Sequence, residues 1–327
     1  MGLKNLVLAA VVVLAAPAHA DVADAVNDRI LPDLAAFRGA TRALADTAAQ
    51  TCDPAALRPA WNAAFDAWIP VSFLRLGPAE EHGRILAIAF WPDPKGIGAR
   101  QLRQLRASQD PVVTDPAGFA ERSVALRGFF ALERLLYPAE PLTGDYICAL
   151  IRATSADLAR VAAEIDQGWR DDFAQTLLSA GEPGNTRYLT EAEAKQALFT
   201  QLMTGFEFTA DQRLGRPLGT FDRPRPERAE ARASARSQRN VELSLQALLA
   251  FGQALAGPLP ETRANVERAL AAANALNDPD FSGLAQPQGH VRAEALQGLV
   301  RSAQDSAGAE AGAALGVDIG FNSADGD

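Results

Sequence analysis

The sequence predicts an all-α protein, and three observations lead to that prediction. Apolar side chains recur every three or four residues, as in Val26, Ile30 and Leu34, so that they share one face of a helix. Residue pairs that cap and open helices precede such segments, for example Asp53 followed by Pro54. No run of alternating apolar and polar residues long enough to indicate a β-strand is present in the 327 residues.

Helical segments separated by turn-rich stretches account for most of the chain. Prolines and glycines cluster at 90–96 and 216–226, which we interpret as an irregular loop and as a linker or crossover. Thr190 and Glu193 form a capping box at the start of one helix. The segments predicted to be helical are 21–50, 53–69, 80–89, 97–107, 115–138, 146–169 with a bend near Gly168, 191–213, 227–256, 261–276 and 290–314.

The first 20 residues are typical of a secretory signal peptide. Lys4 supplies a positive start, an apolar run follows to Ala16, and Ala18-His19-Ala20 is a small-residue cleavage site. The apolar run is too short to span a bilayer. We therefore expect export, cleavage after Ala20, and a mature chain in the periplasm without a membrane span.

The charge balance argues against several partners. The formal net charge is −9, and cleavage would remove one cation, Lys4, to leave −10. Such acidity disfavours binding to nucleic acid or to an anionic membrane surface, and it is compatible with cation binding. The sequence also lacks the H-E-x-x-H, G-x-S-x-G and phosphate-binding glycine motifs, so the common hydrolytic sites are absent.

Two cysteines, Cys52 and Cys148, are the only ones in the chain. Because the periplasm is oxidising, we expect them to form one disulfide. Two buried thiols are the alternative, since sequence does not give the distance between them.

The stretch Arg122–Pro138 is apolar on nearly every side of a helical wheel, which is typical of a buried helix. Its two stripes are Val124, Gly128, Ala131 and Leu135, and Leu126, Phe130, Glu133 and Tyr137. Glu133 therefore lies among apolar side chains, where an ionised carboxylate is costly unless a cation, a metal or several donors meet it. Glu133 is the first candidate for a functional residue, and a buried salt bridge that holds helices in register is the alternative.

Residues 128–133, Gly-Phe-Phe-Ala-Leu-Glu, occupy the frame of the G-x-H-x-x-E signature of the imelysin-like family. Four further segments resemble the lipoprotein branch of that family: WNAAFDAW at 61–68, FLRLGPAEE at 73–81, FWPDPKG at 90–96 and RAEARASARS at 228–237. The final GFNSADGD is similar as well. The resemblance thus extends over nearly the whole mature chain.

The resemblance implies two packed helical-bundle domains with a cleft between them. We place a loose boundary at 143/144, which gives domains 21–143 and 144–327 after the signal. In the signature, His and Glu lie three residues apart on one helical face, so that both can ligate one ion. Phe130 stands where the His belongs, and half of that metal pair is missing.

Other residues of the resembling motifs are candidates for the cleft. On the predicted helix 227–256, Arg228, Arg232 and Arg236 line one face, and Ser234, Ser237 and Asn240 fit the family pattern. Arg236 is a reasonable partner for Glu133, although most of this stripe is interpreted as a solvated face. Trp91 and Asp93 lie on a proline-stiffened loop, where Asp93 with Glu133 would supply oxygen ligands to a metal. A tryptophan in such a position is more often a core residue than a surface for a ligand. The terminal Asn322, Asp325 and Asp327 would place oxygen donors near the site, or form a frayed end.

Taken together, the sequence predicts a periplasmic protein that binds a metal ion, iron or another divalent cation, or a small ligand at the cleft. The resemblance implies a part in iron uptake or handling with envelope iron-uptake components as partners. The proposed ligand-binding residues are Glu133, Phe130, Gly128, Trp91, Asp93, Arg236 and Ser237. A metallopeptidase is the alternative that the family name suggests, and Phe130 counts against it because a carbon ring cannot replace an imidazole donor. A non-catalytic envelope scaffold is the third alternative.

Overall fold

The computed structural model describes residues 20–317, and helices make up most of this range. Within it lie eleven helices and no β-strand, apart from one isolated bridge between Thr220 and Arg223. The helices are α1 (22–50), α2 (Pro54–Trp68), α3 (Arg84–Ile88), α4 (Ile97–Ser108), α5 (Pro116–Ala120), α6 (Gly128–Leu136), α7 (145–178), α8 (191–218), α9 (Ser237–Ala256), α10 (Pro260–Leu276) and α11 (Pro287–Leu315). The all-α prediction is confirmed. Most of the predicted signal peptide and the GFNSADGD end lie outside the described residues.

Several helix ends form as their sequences predict. The Asp53 carboxylate accepts a hydrogen bond from the Ala55 amide at the start of α2, and Thr190 accepts one from the Glu193 amide at the start of α8. Three long helices each contain a π-helical segment: Ala25–Ile30 in α1, Trp169–Phe173 in α7 and Phe208–Leu214 in α8. The segment in α7 begins where the bend near Gly168 was predicted.

Two groups of helices share one continuous hydrophobic core. In the first group, α1 packs against α2 and α7, and α6 packs against α7 and α2. In the second group, α9, α10 and α11 pack against one another, and α9 and α11 also pack against α8. The groups meet where α9 lies on the π-helical segment of α1 and on the turn Ile69–Val71. The domain boundary at 143/144 remains a prediction, and α7, which follows it, packs against the first group.

Two predicted helices are shorter than expected. The 115–138 prediction is wrong at its middle, because Arg127 is extended and Gly128 has φ of +70°, so that α6 begins only at Gly128. The 227–256 prediction is wrong over its first third, because Ala231 and Ala235 have φ of +48° and +55° and helix α9 begins at Ser237. The arginine stripe predicted on one helical face is therefore spread over a loop.

The predicted disulfide is confirmed. Cys52 lies between α1 and α2, Cys148 lies in the first turn of α7, and the two are joined with a Cα–Cα distance of 5.2 Å. The link ties segments 96 residues apart in the chain and supports the packing of α7 on the first group. None of the helices within 20–317 combines the length and apolarity needed to cross a bilayer.

Candidate functional site

Gly128 fixes the place of Glu133 in the fold. A Cβ atom at Gly128 would lie 2.1 Å from the Ile88 carbonyl oxygen, and its φ of +70° favours glycine. Only glycine therefore lets α6 start directly against the end of α3. Glu133 follows after little more than one helical turn, and its side chain points toward the loop before α9.

Glu133 is buried, with 7% of the residue exposed, and it is bound by one residue from a distant segment. Its Oε1 accepts the Ser234 amide at 3.0 Å and the Ser234 hydroxyl at 2.7 Å. The other oxygen, Oε2, makes no hydrogen bond to any described residue. It is not one of the solvent-inaccessible side-chain atoms of the described residues that lack a partner. The carboxyl group thus has one oxygen held by Ser234 and one without a hydrogen bond to the described residues.

The segment 229–236, here called the Ser234 loop, carries backbone strain on both sides of Ser234. Ala231 and Ala235 both adopt the left-handed region that favours glycine. Each such residue costs about 1–2 kcal/mol relative to the right-handed region. The loop is held by side-chain bonds that include the Ser237 hydroxyl, which donates to the Glu230 carbonyl at 2.7 Å. Strain of this kind is concentrated at functional sites, because surrounding contacts must maintain it.

Burial raises the pKa of Glu133 above its ordinary value of 4.5. The two donors of Ser234 and the nearby Arg134 act in the opposite direction, and the neighbouring Glu230 adds to the rise. The Ser234 hydroxyl also lies 3.0 Å from the Ala231 carbonyl, so its single hydrogen has two acceptors within reach. A protonated Glu133 would relieve this competition, in agreement with the direction of its pKa.

A buried ion pair lies beside Glu133. Arg213, in the π-helical segment of α8, donates from Nε to Glu230 Oε2 at 2.7 Å, and Asn240 Nδ2 donates to the same oxygen at 3.0 Å. Both charged side chains are only 5% exposed. The Arg213 guanidinium thus offsets the charge of Glu230 beside Glu133. The pair joins α8, the Ser234 loop and α9.

Arg236 does not serve as the partner of Glu133 that the sequence predicted. Its guanidinium lies instead on α2, where Nη2 donates to Asp66 at 2.6 Å and Nη1 donates to Asn62 Oδ1 at 2.7 Å. The same guanidinium lies 4.8 Å from the centre of the Phe65 ring. The positive φ of Ala235 turns the chain just before Arg236, and the result is that Arg236 anchors one end of the Ser234 loop to α2.

Asp93 is a helix cap. Its two oxygens accept the amides of Ile97 and Gly98, each at 2.8 Å, at the start of α4. Oδ2 also lies 3.5 Å from Arg134 Nη2. Both oxygens are thus occupied by donors, which leaves little capacity for a cation. Since Arg134 also interacts electrostatically with Glu133, it lies between the two carboxylates that the sequence proposed as metal ligands.

Phe130 and Trp91 contribute packing at the edges of the site. Phe130 is buried and meets the Phe65 ring edge to face, with 5.9 Å between ring centres. Trp91 is half-buried and meets Phe208 in the same manner at 6.1 Å. Phe208 therefore extends the site from the 90–96 loop to α8.

The donor set does not fit a metal ion held by protein side chains alone. Phe130 supplies no donor, and the oxygens of Asp93 are engaged by backbone amides. Within residues 20–317, no three His, Cys, Asp or Glu side chains are grouped so that they could hold an ion. Most protein sites for transition metals use three or more such ligands.

The sequence did not point to Arg213, Phe208 or Arg75 as parts of this region. Arg75 belongs to the FLRLGPAEE segment, but nothing in that segment indicates which side chains it meets. Phe208 and Arg213 lie in the π-helical segment of α8, whose amphipathic pattern is ordinary, and Arg213 reaches the Ser234 loop through its bond to Glu230. Ser234 was part of a resembling motif, and its bond to Glu133 depends on a loop that was predicted as helix.

Comparison with known proteins identifies the family. The sequence profile of Imelysin, the Peptidase_M75 family, matches residues 30–306. The chain belongs to the imelysin family. The solved structure of an imelysin-like protein from Psychrobacter arcticum 273-4 superposes with a TM-score of 0.70 at 18% identity, over 92% of this chain and 96% of that one.

Two further relatives have names that refer to iron regulation. A structure from Parabacteroides distasonis ATCC 8503, provisionally described as an iron-regulated protein A precursor, superposes with a TM-score of 0.73 at 13% identity, over 91% of this chain and 97% of that one. Iron-regulated protein A of Synechococcus elongatus is 29% identical over 192 residues, which are 57% of this chain and 49% of the relative. The match thus spans about half of that relative. At these identities the two structures show the imelysin fold alone.

Proposed function

We propose that this imelysin-family protein is an exported, iron-linked binding protein that recognises a small ligand at the Glu133–Ser234 contact and is not a peptidase. The observation that carries the proposal is the half-satisfied carboxyl group of Glu133. One oxygen is fixed by both donors of Ser234, and the other has no hydrogen-bond partner within residues 20–317. A group fixed in this way is preorganised to accept a hydrogen bond from a ligand, or to donate one when protonated.

The iron link rests on the relatives. Two of them carry the name iron-regulated protein A, and the chain shares their fold or part of their sequence. The side chains at the site do not supply a set of metal ligands. Iron as cargo would therefore arrive with its own chelating ligands, and the protein would recognise the chelator. Export rests on the pattern of the first 20 residues, which favours a periplasmic location.

The test is retention of ligand by protein purified from the periplasm. We expect wild-type protein to carry iron and a small organic compound in equal amounts, measured by elemental analysis and mass spectrometry. Glu133→Ala and Ser234→Ala should lose both, whereas Asp46→Asn, which alters an exposed carboxylate paired with Arg42, should retain them. Wild-type protein without iron or an organic ligand would overturn the proposal and leave the envelope scaffold.

Calorimetry with ferrous, ferric, copper, zinc and calcium ions separates chelated iron from a protein-held metal. We expect no tight binding of any free ion by wild type or by Glu133→Ala. Stoichiometric binding of a free ion that is lost in Glu133→Ala would contradict the chelate and assign Glu133 as a metal ligand.

A protease assay tests the peptidase alternative. We expect wild-type protein to leave casein intact with or without added zinc. Phe130→His, which restores the His of the family signature, is expected to do the same, because the neighbouring carboxylate Asp93 is used as a helix cap. Cleavage that a chelator abolishes in wild type would refute the binding-protein assignment.

A further inference from the structure

A second cationic group, Arg75, is separated from the Arg213–Glu230 pair by the ring of Phe208. Arg75, in the segment between α2 and α3, has its guanidinium 5.4 Å from the centre of the Phe208 ring, and Arg213 has its own 4.8 Å from the same centre. Two arginines thus share one aromatic ring. The arrangement is electrostatically unfavourable unless an anion is nearby, because like charges repel in a partly desolvated setting.

The two arginines differ in how their charges are compensated. Arg213 is neutralised by Glu230 and is 4% exposed. Arg75 forms no ion pair with any acidic side chain described in 20–317, and it is exposed. Partial desolvation and the charge of Arg213 together lower the pKa of Arg75 from its ordinary value. The positive charge of Arg75 is thus not compensated by an ion pair with any described residue.

The position of Arg75 is fixed at both ends of the residue. Its backbone amide donates to Gln201 Oε1 on α8 at 2.7 Å, and the Phe208 ring supports the guanidinium. An aromatic face stabilises an arginine while leaving the N–H edge of the guanidinium available. That edge is suited to bind a carboxylate through two parallel hydrogen bonds.

Arg75 is also connected to Glu133 through neighbouring groups. Glu133 interacts electrostatically with Glu230, Glu230 is bonded to Arg213, and Arg213 shares the Phe208 ring with Arg75. Trp91 closes the edge of the same ring. Arg75 and Glu133 thus belong to one series of neighbouring groups around the Arg213–Glu230 pair.

We propose that Arg75, supported by Phe208 and Arg213, is the anion subsite of the ligand-binding region and that the ligand is a carboxylate-bearing iron chelator. This inference rests on the proposed function and names the chemical class of its ligand. Carboxylate oxygens suit both partners, since they pair with arginine and they coordinate hard cations. The chain is acidic overall, so Arg75 is not part of a general basic surface. Its uncompensated positive charge is therefore a local feature suited to an anion.

Calorimetry with citrate, ferric citrate and triethyl citrate tests the charge requirement. Triethyl citrate has the same carbon skeleton without the charge. We expect wild type to bind citrate or its iron complex, to bind more weakly as salt rises, and to ignore the triester. Equal binding of the triester, or no binding of either anion, would overturn the carboxylate subsite.

Variants locate the binding. Arg75→Gln should weaken binding by about tenfold or more, as loss of a charge-assisted contact predicts, and Arg75→Lys should restore part of it. Arg103→Gln, at an exposed arginine on α4, is the matched control and should bind as wild type does. Thermal melts followed by circular dichroism establish that each variant is folded.

The two proposals fail in different ways. Wild-type affinity in Arg75→Gln, with binding lost in Glu133→Ala, would refute the anion subsite and leave the Glu133–Ser234 site in place. If none of the probes binds wild type, the subsite is rejected, and the proposed function is decided by what the periplasmic protein retains.

Discussion

The bond between Ser234 and Glu133 makes a prediction that depends on both residues and on pH. A hydrogen bond to a charged group contributes about 1.5–3 kcal/mol to stability, and one between neutral groups contributes about 0.5–1.5 kcal/mol. Ser234→Ala should therefore cost about 1 kcal/mol more in wild type than in Glu133→Gln once the pH exceeds the folded-state pKa of Glu133. Urea unfolding of the four proteins in this double-mutant cycle, followed by circular dichroism, measures the difference.

The sign of the pH dependence follows from the raised pKa of Glu133. Below the ordinary glutamate value of 4.5 the group is protonated in both folded and unfolded chains, and its favourable contribution is complete. As pH rises toward the folded-state pKa, the unfolded chain releases its proton first, and the protein loses stability. Ser234→Ala removes a donor to the charged form, raises this pKa further and enlarges the loss. The coupling energy should be small near pH 4.5 and should grow as the pH rises through the folded-state pKa of Glu133.

A control separates this effect from the loss of any buried hydroxyl. Ser244 is buried on α9, and its hydroxyl donates to the Asn240 carbonyl at 2.6 Å, away from a carboxylate partner. Ser244→Ala should lower the free energy of unfolding by the same amount at low and at high pH, and in wild type and Glu133→Gln alike. If Ser234→Ala behaves in the same way, the reasoning about a charged, donor-dependent Glu133 is refuted.

Three other changes test the fold around the site by urea unfolding. Gly128→Ala should destabilise by at least about 1–2 kcal/mol, because alanine resists the left-handed region and its Cβ meets the Ile88 carbonyl; a cost below 0.5 kcal/mol would be inconsistent with this contact. Replacing Cys52 and Cys148 together with serine should cost about 2–5 kcal/mol, and reduction of wild type should give a matching loss if the link constrains the unfolded chain. Asp93→Ala should cost about 0.5–2 kcal/mol with no change in bound metal, whereas metal loss at unchanged stability would assign Asp93 as a ligand rather than a cap.

The local signals in the sequence were sufficient for most of the fold. Capping residues and apolar spacing placed the starts of α2 and α8, because both act within one or two helical turns. The two cysteines were enough to predict the disulfide once export was assumed. The helix starts were thus recovered from neighbouring residues, and the disulfide, which joins segments 96 residues apart, was recovered because the chain offers a single possible pair of cysteines.

The Ser234 loop shows why the site itself was predicted only in part. Residues 227–236 are rich in alanine, arginine and glutamate, which favour helix, and their spacing is helical. The structure overrides that preference with contacts to distant residues: Ser234 to Glu133 and Arg236 to Asp66. No local rule contains those bonds, so the helix was predicted too long and Arg236 was given the wrong partner.

The replacement of the signature His by Phe130 is consistent with a site that depends on Ser234 rather than on a metal. Phe130 occupies the position of the signature His and packs against Phe65. A hydrophobic contact thus stands where the family signature has a metal-binding imidazole. The bonds of Ser234 to Glu133 are among the contacts that offset the strain of Ala231 and Ala235, together with the Arg213–Glu230 pair and the bond of Arg236 to Asp66. The strained loop delivers both donors of Ser234 to a single oxygen of Glu133. The fold therefore holds the carboxyl group in one orientation, with one oxygen bonded to Ser234 and the other without a hydrogen bond to the described residues.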